Sequence, residues 1–315
     1  MKKLTYAIAL SSLLLAGCSQ DEGIMESKGE LVTLNYNVSL GNGVQSRAGE
    51  DLAVNKLLCV IFEKGVNQES TEIRRDIVDI QDSNSIIYTP TLFNNAEYRI
   101  VFWAYHVENG DSCFNLENMK SIMINDKYDK GSFEDNKNKD AFTAFHDVKL
   151  EKVNQTPKIT LNRPFGMVNV YTSKDDYEAA VRIGSTPTSG SLYLNDYSMK
   201  YNAYEQKWNE DTDGPILLNT KVSTDQIVTF DNKECYCLAS EYVFGGNNVL
   251  ATRVTIKNDK DKEIYNSGEI TNMPLGQNAR TNLYNPNLLT GGGVTYTITF
   301  NQGFIDDDDY NKEIN

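Results

Sequence analysis

Within residues 31–40, LVTLNYNVSL, apolar and polar residues alternate from Val32 to Leu40, and this pattern limits the local structure more than any other feature of the sequence. Successive side chains of a β-strand point to opposite faces, so residues two apart share a face. The apolar positions on one face are Val32, Leu34, Tyr36, Val38 and Leu40. The alternation therefore predicts a β-strand with one buried face and one polar face.

Short apolar runs separated by turn-forming residues continue through the rest of the chain. The runs KLLCVIFEKG at 56–65 and EYRIVFWAYHV at 97–107 are dense enough for central strands of a two-sheet core. Near the C-terminus, VTYTITF alternates again, and its apolar face comprises Val294, Tyr296, Ile298 and Phe300.

One helix is predicted over residues 173–184, SKDDYEAAVRIG, with Ser173 as its N-cap and Gly184 as its stop. Many short strands with turns between them, and a single helix, predict an all-β fold with a minor α component. The expected architecture is a β-sandwich, and the number of strands allows an immunoglobulin-like arrangement equally well.

The first residues have the pattern of a secretory signal peptide. Lys2 and Lys3 precede an apolar run at 4–16 that is too short to span a bilayer as a mature helix. The tetrad LAGC resembles a bacterial lipobox, which implies that residues 1–17 are removed and that Cys18 carries lipid. An ordinary signal peptide followed by a chance cysteine is the alternative. In the lipobox interpretation, the lipid on Cys18 is the one attachment of the chain to a membrane.

Charge and motif content exclude several classes of function. The formal net charge of −14 argues against nucleic acid and anionic membrane surfaces as partners. The sequence has no nucleophile elbow, phosphate-binding loop or zinc-protease motif, so neither an enzyme nor a cofactor is predicted. With only two histidines, His106 and His146, both interpreted as structural, no metal site is predicted.

Cysteines and tryptophans are mostly assigned to the core. The cysteines other than Cys18 are expected to be thiols, with Cys59 inside the run LLCVIF and with Cys235 and Cys237 on one face of a strand. Trp103, inside IVFWA, is predicted to be buried. Trp208 lies between Lys207 and Asn209 and is the more accessible of the two tryptophans, so it is where a sugar would stack.

The stretch VQSRAGED places Arg47 among small residues, soon after Gly41 and Gly43. Exposed loops of this kind are preferred sites of proteolysis, so the bond between Arg47 and Ala48 is a predicted cleavage site. Cleavage would release Cys18 together with the strand at 31–40, interpreted here as an edge strand. The exposed groove would recruit another strand, and a strand from a second copy would build a filament.

Several stretches resemble the fimbrillin-like surface lipoproteins that form type V pili, in particular a fimbrillin-related group of uncharacterised domains. These stretches are LVTLNYNVSLGNGVQSRA, NKLLCVIFEKG, EYRIVFWAYH, KDAFTAFHDVKL, LNRPFGMVNVYTS and NARTNLYNPNLLTGGGVTYTITFNQGF. They are spread over nearly the whole chain that follows the signal peptide, from residue 31 to residue 304.

The resemblance implies two tandem transthyretin-like β-sandwich domains after a lipidated segment at 18–47. The sequence turns polar around EKVNQTP, which places the boundary near Gln155 and the two domains at 48–155 and 156–315. It also implies export to the outer membrane as a lipoprotein, cleavage after Arg47 by an Arg-specific protease, and polymerisation by donor-strand insertion. The implied donor is the strand at 294–300, or one that extends to Phe304 and Ile305.

The sequence therefore predicts a structural subunit of a cell-surface fimbrium that supports adhesion and whose partners are other copies or related pilus subunits. Two alternatives stay open. One is an uncleaved, lipid-anchored surface protein that binds a glycan or host ligand. The other is a minor tip or anchor fimbrillin.

Overall fold

The computed structural model describes residues 29–41, 54–65, 69–125, 139–150, 154–195, 198, 200–209, 216–230, 232–244, 249–291, 295–302 and 311–313. Strands arranged in layered sheets dominate these residues, and one helix lies among them. The predicted all-β sandwich class with a minor α component is confirmed. The transthyretin-like tandem arrangement stays a prediction.

The first group of strands comes from the N-terminal half of the chain. Its strands are β1 (Leu31–Thr33), β2 (Tyr36–Leu40), β3 (Lys56–Lys64), β4 (Ser70–Asp79), β5 (Ile86–Tyr88), β6 (Thr91–Phe93), β7 (Glu97–Tyr105), β8 (Phe114–Asn115), β9 (Ile122–Ile124), β10 (Ala141–Lys149) and β11 (Lys158–Leu161). One sheet has the order β10-β7-β3-β4, a second has the order β11-β2-β5, and β1 pairs with β6.

The sheet β10-β7-β3-β4 is buried on both faces at its centre. Alternate residues of β3 and β7, such as Leu57 and Phe102, face the sheet that contains β2 and form a first core with it. The residues between them, such as Leu58 and Trp103, face the opposite way into a second and larger core. Burial on both faces explains why these two strands are apolar along most of their length.

The second group of strands comes from the C-terminal half. Its elements are β12 (Gly166–Ser173), α1 (Lys174–Arg182), β13 (Pro187–Leu194), β14 (Lys200–Asn202), β15 (Lys207–Trp208), β16 (Ile216–Lys221), β17 (Ser223–Phe230), β18 (Lys233–Val243), β19 (Val249–Asn258), β20 (Glu263–Asn266), β21 (Ile270–Pro274), β22 (Ala279–Tyr284), β23 (Thr297–Gln302) and β24 (Asn311–Glu313). One sheet has the order β17-β18-β12-β22-β23-β24, and the other has the order β16-β13-β19-β20, with β21 also paired to β19.

These two C-terminal sheets approach closely where β13 meets β18. A β-carbon at Gly190 would lie 2.1 Å from the backbone oxygen of Leu238, so only glycine fits at this point. Beyond it the large core continues through residues of both sheets, including Leu192 of β13 and Val170 of β12. The C-terminal half is thus a sandwich of two sheets packed face to face.

Helix α1 begins and ends as predicted. The hydroxyl of Ser173 accepts a hydrogen bond from the backbone N–H of Asp176, which is the geometry of an N-cap. Gly184 follows the helix with a φ of +76°, in the left-handed region that favours glycine at a helix C-terminus.

The two groups of strands share one continuous apolar core. A small sheet with the order β15-β14-β9-β8 combines strands from both halves, and Trp103 packs against Phe114 and Tyr201 beside it. The strand β11 lies just after the predicted domain limit at residue 155, yet it pairs with β2 of the first group. The domain limits proposed from the sequence therefore stay predictions.

Candidate strand-exchange site

The candidate site is the groove that holds the strand pair β1 and β2 against the sheet β10-β7-β3-β4. All five apolar side chains predicted to share a face are buried in this groove: Val32, Leu34, Tyr36, Val38 and Leu40. The polar residues between them, such as Asn35 and Asn37, are only half buried. The alternation of apolar and polar residues therefore correctly predicted which side chains of this segment face the core.

The sequence was interpreted as placing this segment in one continuous strand at a sheet edge. The structure contradicts that interpretation. The segment is broken at Leu34 and Asn35 into two short strands, and β2 lies between β5 and β11 in the interior of its sheet. The edge assignment was wrong because β11 closes the sheet from a distant part of the chain. Both edges of β2 therefore hydrogen-bond to neighbouring strands.

The two neighbours of β2 run in opposite directions. Residues 36–38 pair antiparallel with β5, and residues 37–40 pair parallel with β11. Further backbone bonds lie at the ends of the segment, from Leu34 N to Pro90 O at 2.9 Å and from Gly41 N to Leu161 O at 2.8 Å. A β-carbon at Gly41 would lie 2.8 Å from Asn162 Oδ1, so glycine allows the chain to leave the groove here.

One polar contact lies at the floor of the groove. The hydroxyl of Tyr36 is 3.0 Å from Nδ1 of His146 on β10, and the two rings meet edge to face. Burial lowers the pKa of His146, so the imidazole is held in its neutral form, although the neighbouring Asp147 carboxylate opposes this shift. Burial also raises the pKa of the Tyr36 hydroxyl.

Aromatic rings surround Tyr36 on its other sides. Its ring packs edge to face against Phe102, with centroids 5.2 Å apart, and stacks on Tyr88 at 6.3 Å. The Tyr88 hydroxyl donates a 2.6 Å hydrogen bond to Asp76 on β4. Tyr36 therefore occupies an aromatic subsite with one hydrogen-bonding group available to its hydroxyl.

The proposed lipidation and cleavage residues, Cys18, Arg47 and Ala48, lie outside the described residues. The described chain leaves the groove at Gly41 and resumes at Val54. The roles of all three residues stay predictions.

The candidate donor strand is part of the C-terminal sandwich. Tyr296 and Ile298 are buried in the large core, Phe300 is half buried, and Val294 lies outside the described residues. The strand β23 lies between β22 and β24, and the hydroxyl of Tyr296 is hydrogen-bonded to that of Tyr265. In this structure the segment is an integral strand of its own sheet.

A buried carboxylate holds the loop before this strand. Asp176 of α1 accepts hydrogen bonds from the backbone N–H groups of Leu289 and Thr290, at 2.7 and 3.0 Å. The hydroxyl of Thr172 donates to the same carboxylate at 2.7 Å. The backbone of the stretch NPNLLT, residues 285–290, is therefore held against the first turn of the helix.

A separate cleft of about 520 Å³ lies beside α1. It is lined by Tyr177, Glu178, Val181, Arg182, Thr186, Thr224 and Tyr236. The rings of Tyr177 and Tyr236 meet edge to face with centroids 5.0 Å apart. The surface of this cleft therefore combines the apolar faces of two tyrosine rings with the hydrogen-bonding groups of an arginine, a glutamate and two threonines.

Trp208 is not available as a sugar platform, contrary to the interpretation of the sequence. Its side chain is buried, and Nε1 donates a 2.7 Å hydrogen bond to the backbone oxygen of Pro164. Its polar sequence neighbours gave a misleading impression of exposure. Trp103 is buried as predicted.

The cysteines expected to be thiols lie in the interior of the protein. Cys59, Cys113, Cys235 and Cys237 are buried thiols. Burial raises the pKa of the Cys59 thiol well above its ordinary value. Within the described ranges, no cluster of three His, Cys, Asp or Glu side chains is arranged to hold a metal ion. No helix in the described part of the chain is long and apolar enough to cross a membrane.

Three solved structures are similar to this chain at low sequence identity, and for two of them the TM-score reaches 0.50. A candidate adhesin from Bacteroides thetaiotaomicron superposes with a TM-score of 0.52 and 11% identity, over 90% of this chain and 97% of that chain. A candidate adhesin from Bacteroides ovatus superposes with a TM-score of 0.50 and 9% identity, over 90% and 96%. The fimbrial anchor protein Mfa2 from Porphyromonas gingivalis gives a TM-score of 0.45 and 13% identity, over 86% and 97%.

The predicted resemblance to fimbrillin-like surface proteins is confirmed at the level of the fold, which the two adhesin structures share with this chain. No curated protein matches the sequence. Residues 26–315 match the model of a family of unknown function, DUF6562, and the chain therefore belongs to that family.

Proposed function

We propose that this protein is a structural subunit of a cell-surface fimbrium, exported as a lipoprotein on Cys18 and activated by cleavage after Arg47. The observation that carries the proposal is the groove of β2. A segment directly before the proposed cleavage site buries five apolar side chains and occupies the interior of a sheet. Its loss would open a site shaped for another strand.

The energetics of this exchange follow from burial. Each large apolar side chain that leaves the groove exposes area worth ~1.5–3 kcal/mol, and the strands β5 and β11 lose their backbone partners. An interior gap has two unpaired edges, so it recruits an extended strand more strongly than a lost edge strand would. The empty groove is therefore unstable until a new strand fills it.

The proposed donor is the C-terminal strand with Tyr296, Ile298 and Phe300, from a second copy or a related subunit. Because Tyr296 and Ile298 are buried in their own sandwich, a donor strand must first leave that core. Asp176, which binds the loop before the strand, opposes this release. A subunit that keeps its own β23 still offers a groove, as a tip subunit requires.

The test compares the wild-type protein with Arg47→Ala on its native cell surface. Cleavage-dependent assembly predicts that wild-type protein begins at Ala48 and runs as an SDS-resistant ladder. Arg47→Ala should remain a lipidated monomer, and Lys64→Ala serves as a control that removes a basic residue elsewhere. Fibres formed by Arg47→Ala would contradict the proposal.

The second candidate function is ligand binding by an uncleaved, lipid-anchored surface protein or anchor subunit. It is favoured by the cleft beside α1, where Tyr177 and Tyr236 could stack on a sugar while Arg182 and Glu178 bind hydroxyl groups. Tyr236→Ala should weaken retention on a polysaccharide affinity gel, whereas Tyr193→Ala on another part of the surface should not. Equal retention of both variants would remove this candidate.

A further inference from the structure

The strand in the groove and the proposed donor strand have the same residue pattern in the same order. Residues 36–40 read YNVSL and residues 296–300 read YTITF. Tyrosine corresponds to tyrosine, and the next two apolar positions hold side chains of equal or larger size. The residues between them are asparagine or serine in one strand and threonine in the other, so the polar faces also correspond.

Alternation alone does not set the register of an incoming strand. A shift by one residue would turn the apolar face outward, but a shift by two residues would keep every apolar side chain in the groove. Hydrophobic burial therefore allows several positions that differ by two residues. A contact that only one residue type can make is needed to distinguish them.

His146 supplies such a contact. It belongs to the opposite sheet, so it stays in place when β2 leaves, and its Nδ1 then loses the hydroxyl of Tyr36. A strand that enters with Tyr296 in the place of Tyr36 restores this bond. A strand displaced by two residues brings Ile298 to the imidazole instead and leaves the partly buried nitrogen without a protein partner.

We propose that His146 is the register-determining residue of the groove, and that its ligand is the hydroxyl of Tyr296 from a second copy of this chain. Tyr296 occupies the aromatic subsite between Phe102, Tyr88 and His146, followed by Ile298 and Phe300 in the places of Val38 and Leu40. This inference rests on the proposed function, because it requires that β2 leaves the groove.

The inferred register also sets the direction of the donor. A strand that keeps the polarity of β2 runs antiparallel to β5 and parallel to β11. The same tyrosine has a hydroxyl partner before exchange, because in its own sandwich Tyr296 bonds to Tyr265. The donor hydroxyl therefore exchanges one protein partner for another and is not left unpaired in either state.

The experiment measures displacement of the N-terminal segment by synthetic peptides of residues 290–302. The full chain is cut after Arg47 by limited digestion, and release of the cut segment is followed as peptide is added. The wild-type peptide should displace the segment. Tyr296→Phe should act about tenfold more weakly, because it lacks the hydroxyl but keeps the ring. A control peptide with Thr299→Ala, changed on the polar face, should act like wild type.

The decisive comparison repeats the peptides on His146→Ala protein. If His146 binds the hydroxyl of Tyr296, the tenfold preference for the tyrosine peptide over the phenylalanine peptide should disappear in His146→Ala protein. It should persist in His106→Ala protein. His146→Gln, which keeps hydrogen-bonding groups, replaces the alanine variant if that variant fails to fold, and it should retain part of the preference.

The outcomes separate the inference from the proposed function. If the wild-type and Tyr296→Phe peptides displace the segment equally, or if the preference survives in His146→Ala protein, the register role of His146 is wrong and strand exchange stands. If no peptide displaces the segment at any concentration, the exchange itself is wrong, and the proposed function fails with it.

Discussion

Lys139 donates a 2.9 Å hydrogen bond to Glu241, and both side chains are almost completely buried. Beside them Arg163 forms two hydrogen bonds to Asp140, at 2.7 and 2.8 Å. Lys139 and Asp140 precede β10 of the N-terminal half, whereas Glu241 belongs to β18 of the C-terminal half. These four charges therefore lie between the two groups of strands and join them.

Removal of one charge from this cluster should destabilise the protein strongly. Lys139→Met leaves the Glu241 carboxylate buried without its cation, which should lower the free energy of unfolding by about 3–5 kcal/mol. Chemical denaturation followed by tryptophan fluorescence measures the loss. Lys149→Met, which removes an exposed pair with Glu97, should cost less than about 1 kcal/mol. If both variants lost the same free energy of unfolding, burial would not be the reason why Lys139 stabilises the protein.

Gly190→Ala should destabilise the C-terminal sandwich. The new methyl group would overlap the backbone oxygen of Leu238 on the facing sheet, and two packed strands would have to separate. The expected loss is about 1–3 kcal/mol or more, measured by thermal unfolding. The neighbouring Ser189→Ala adds no atom and should change stability by about 0.5 kcal/mol or less. A Gly190→Ala protein as stable as wild type would show that the two sheets can separate at this point with no loss of stability.

Asp176→Ala should release the loop before β23. The variant leaves the N–H groups of Leu289 and Thr290 without their acceptor, and the loss of each part-buried hydrogen bond should cost about 0.5–1.5 kcal/mol. Hydrogen exchange should show faster exchange in residues 285–291 and in β23. Asp175→Ala removes an exposed carboxylate from the same helical turn and should have little effect on these amides. Unchanged exchange in Asp176→Ala would show that other contacts hold the loop.

Acidification should weaken the docking of β2. Because the pKa of His146 is lowered in the folded protein, the unfolded chain binds more protons at mildly acidic pH. Stability contributed by the neutral imidazole is therefore present above about pH 6.5 and is lost as the pH falls below it. The free energy of unfolding, measured from pH 8 to pH 5, should fall more steeply for wild type than for His146→Gln. Parallel curves would contradict the prediction.

The sequence was sufficient where a feature depends on neighbouring residues. The period of two residues predicted the buried face of 31–40, and the cap and stop residues predicted α1 with Ser173 and Gly184 at its ends. The dense runs around Cys59 and Trp103 predicted buried strands. Each of these signals is local, because side-chain direction and capping are set within a few residues.

Features that depend on distant partners were not predictable in the same way. No local pattern shows that β11 pairs with β2, so the interior position of β2 was missed. Trp208 was misjudged because its burial depends on the backbone of Pro164, which is far away in sequence. The contact of His146 with Tyr36 on the opposite sheet could not be found without the fold.

The parallel pairing of β2 with β11 has a consequence for the order of folding. The two strands are separated by more than a hundred residues, so closing this sheet requires a long loop, and such contacts form late and slowly. During synthesis the N-terminal strand is made first, yet it cannot complete its sheet until residue 161 has followed. Until then the edge of β2 that pairs with β11 has no partner strand, and pairing of this edge with a neighbouring chain is the hazard that the arrival of β11 removes.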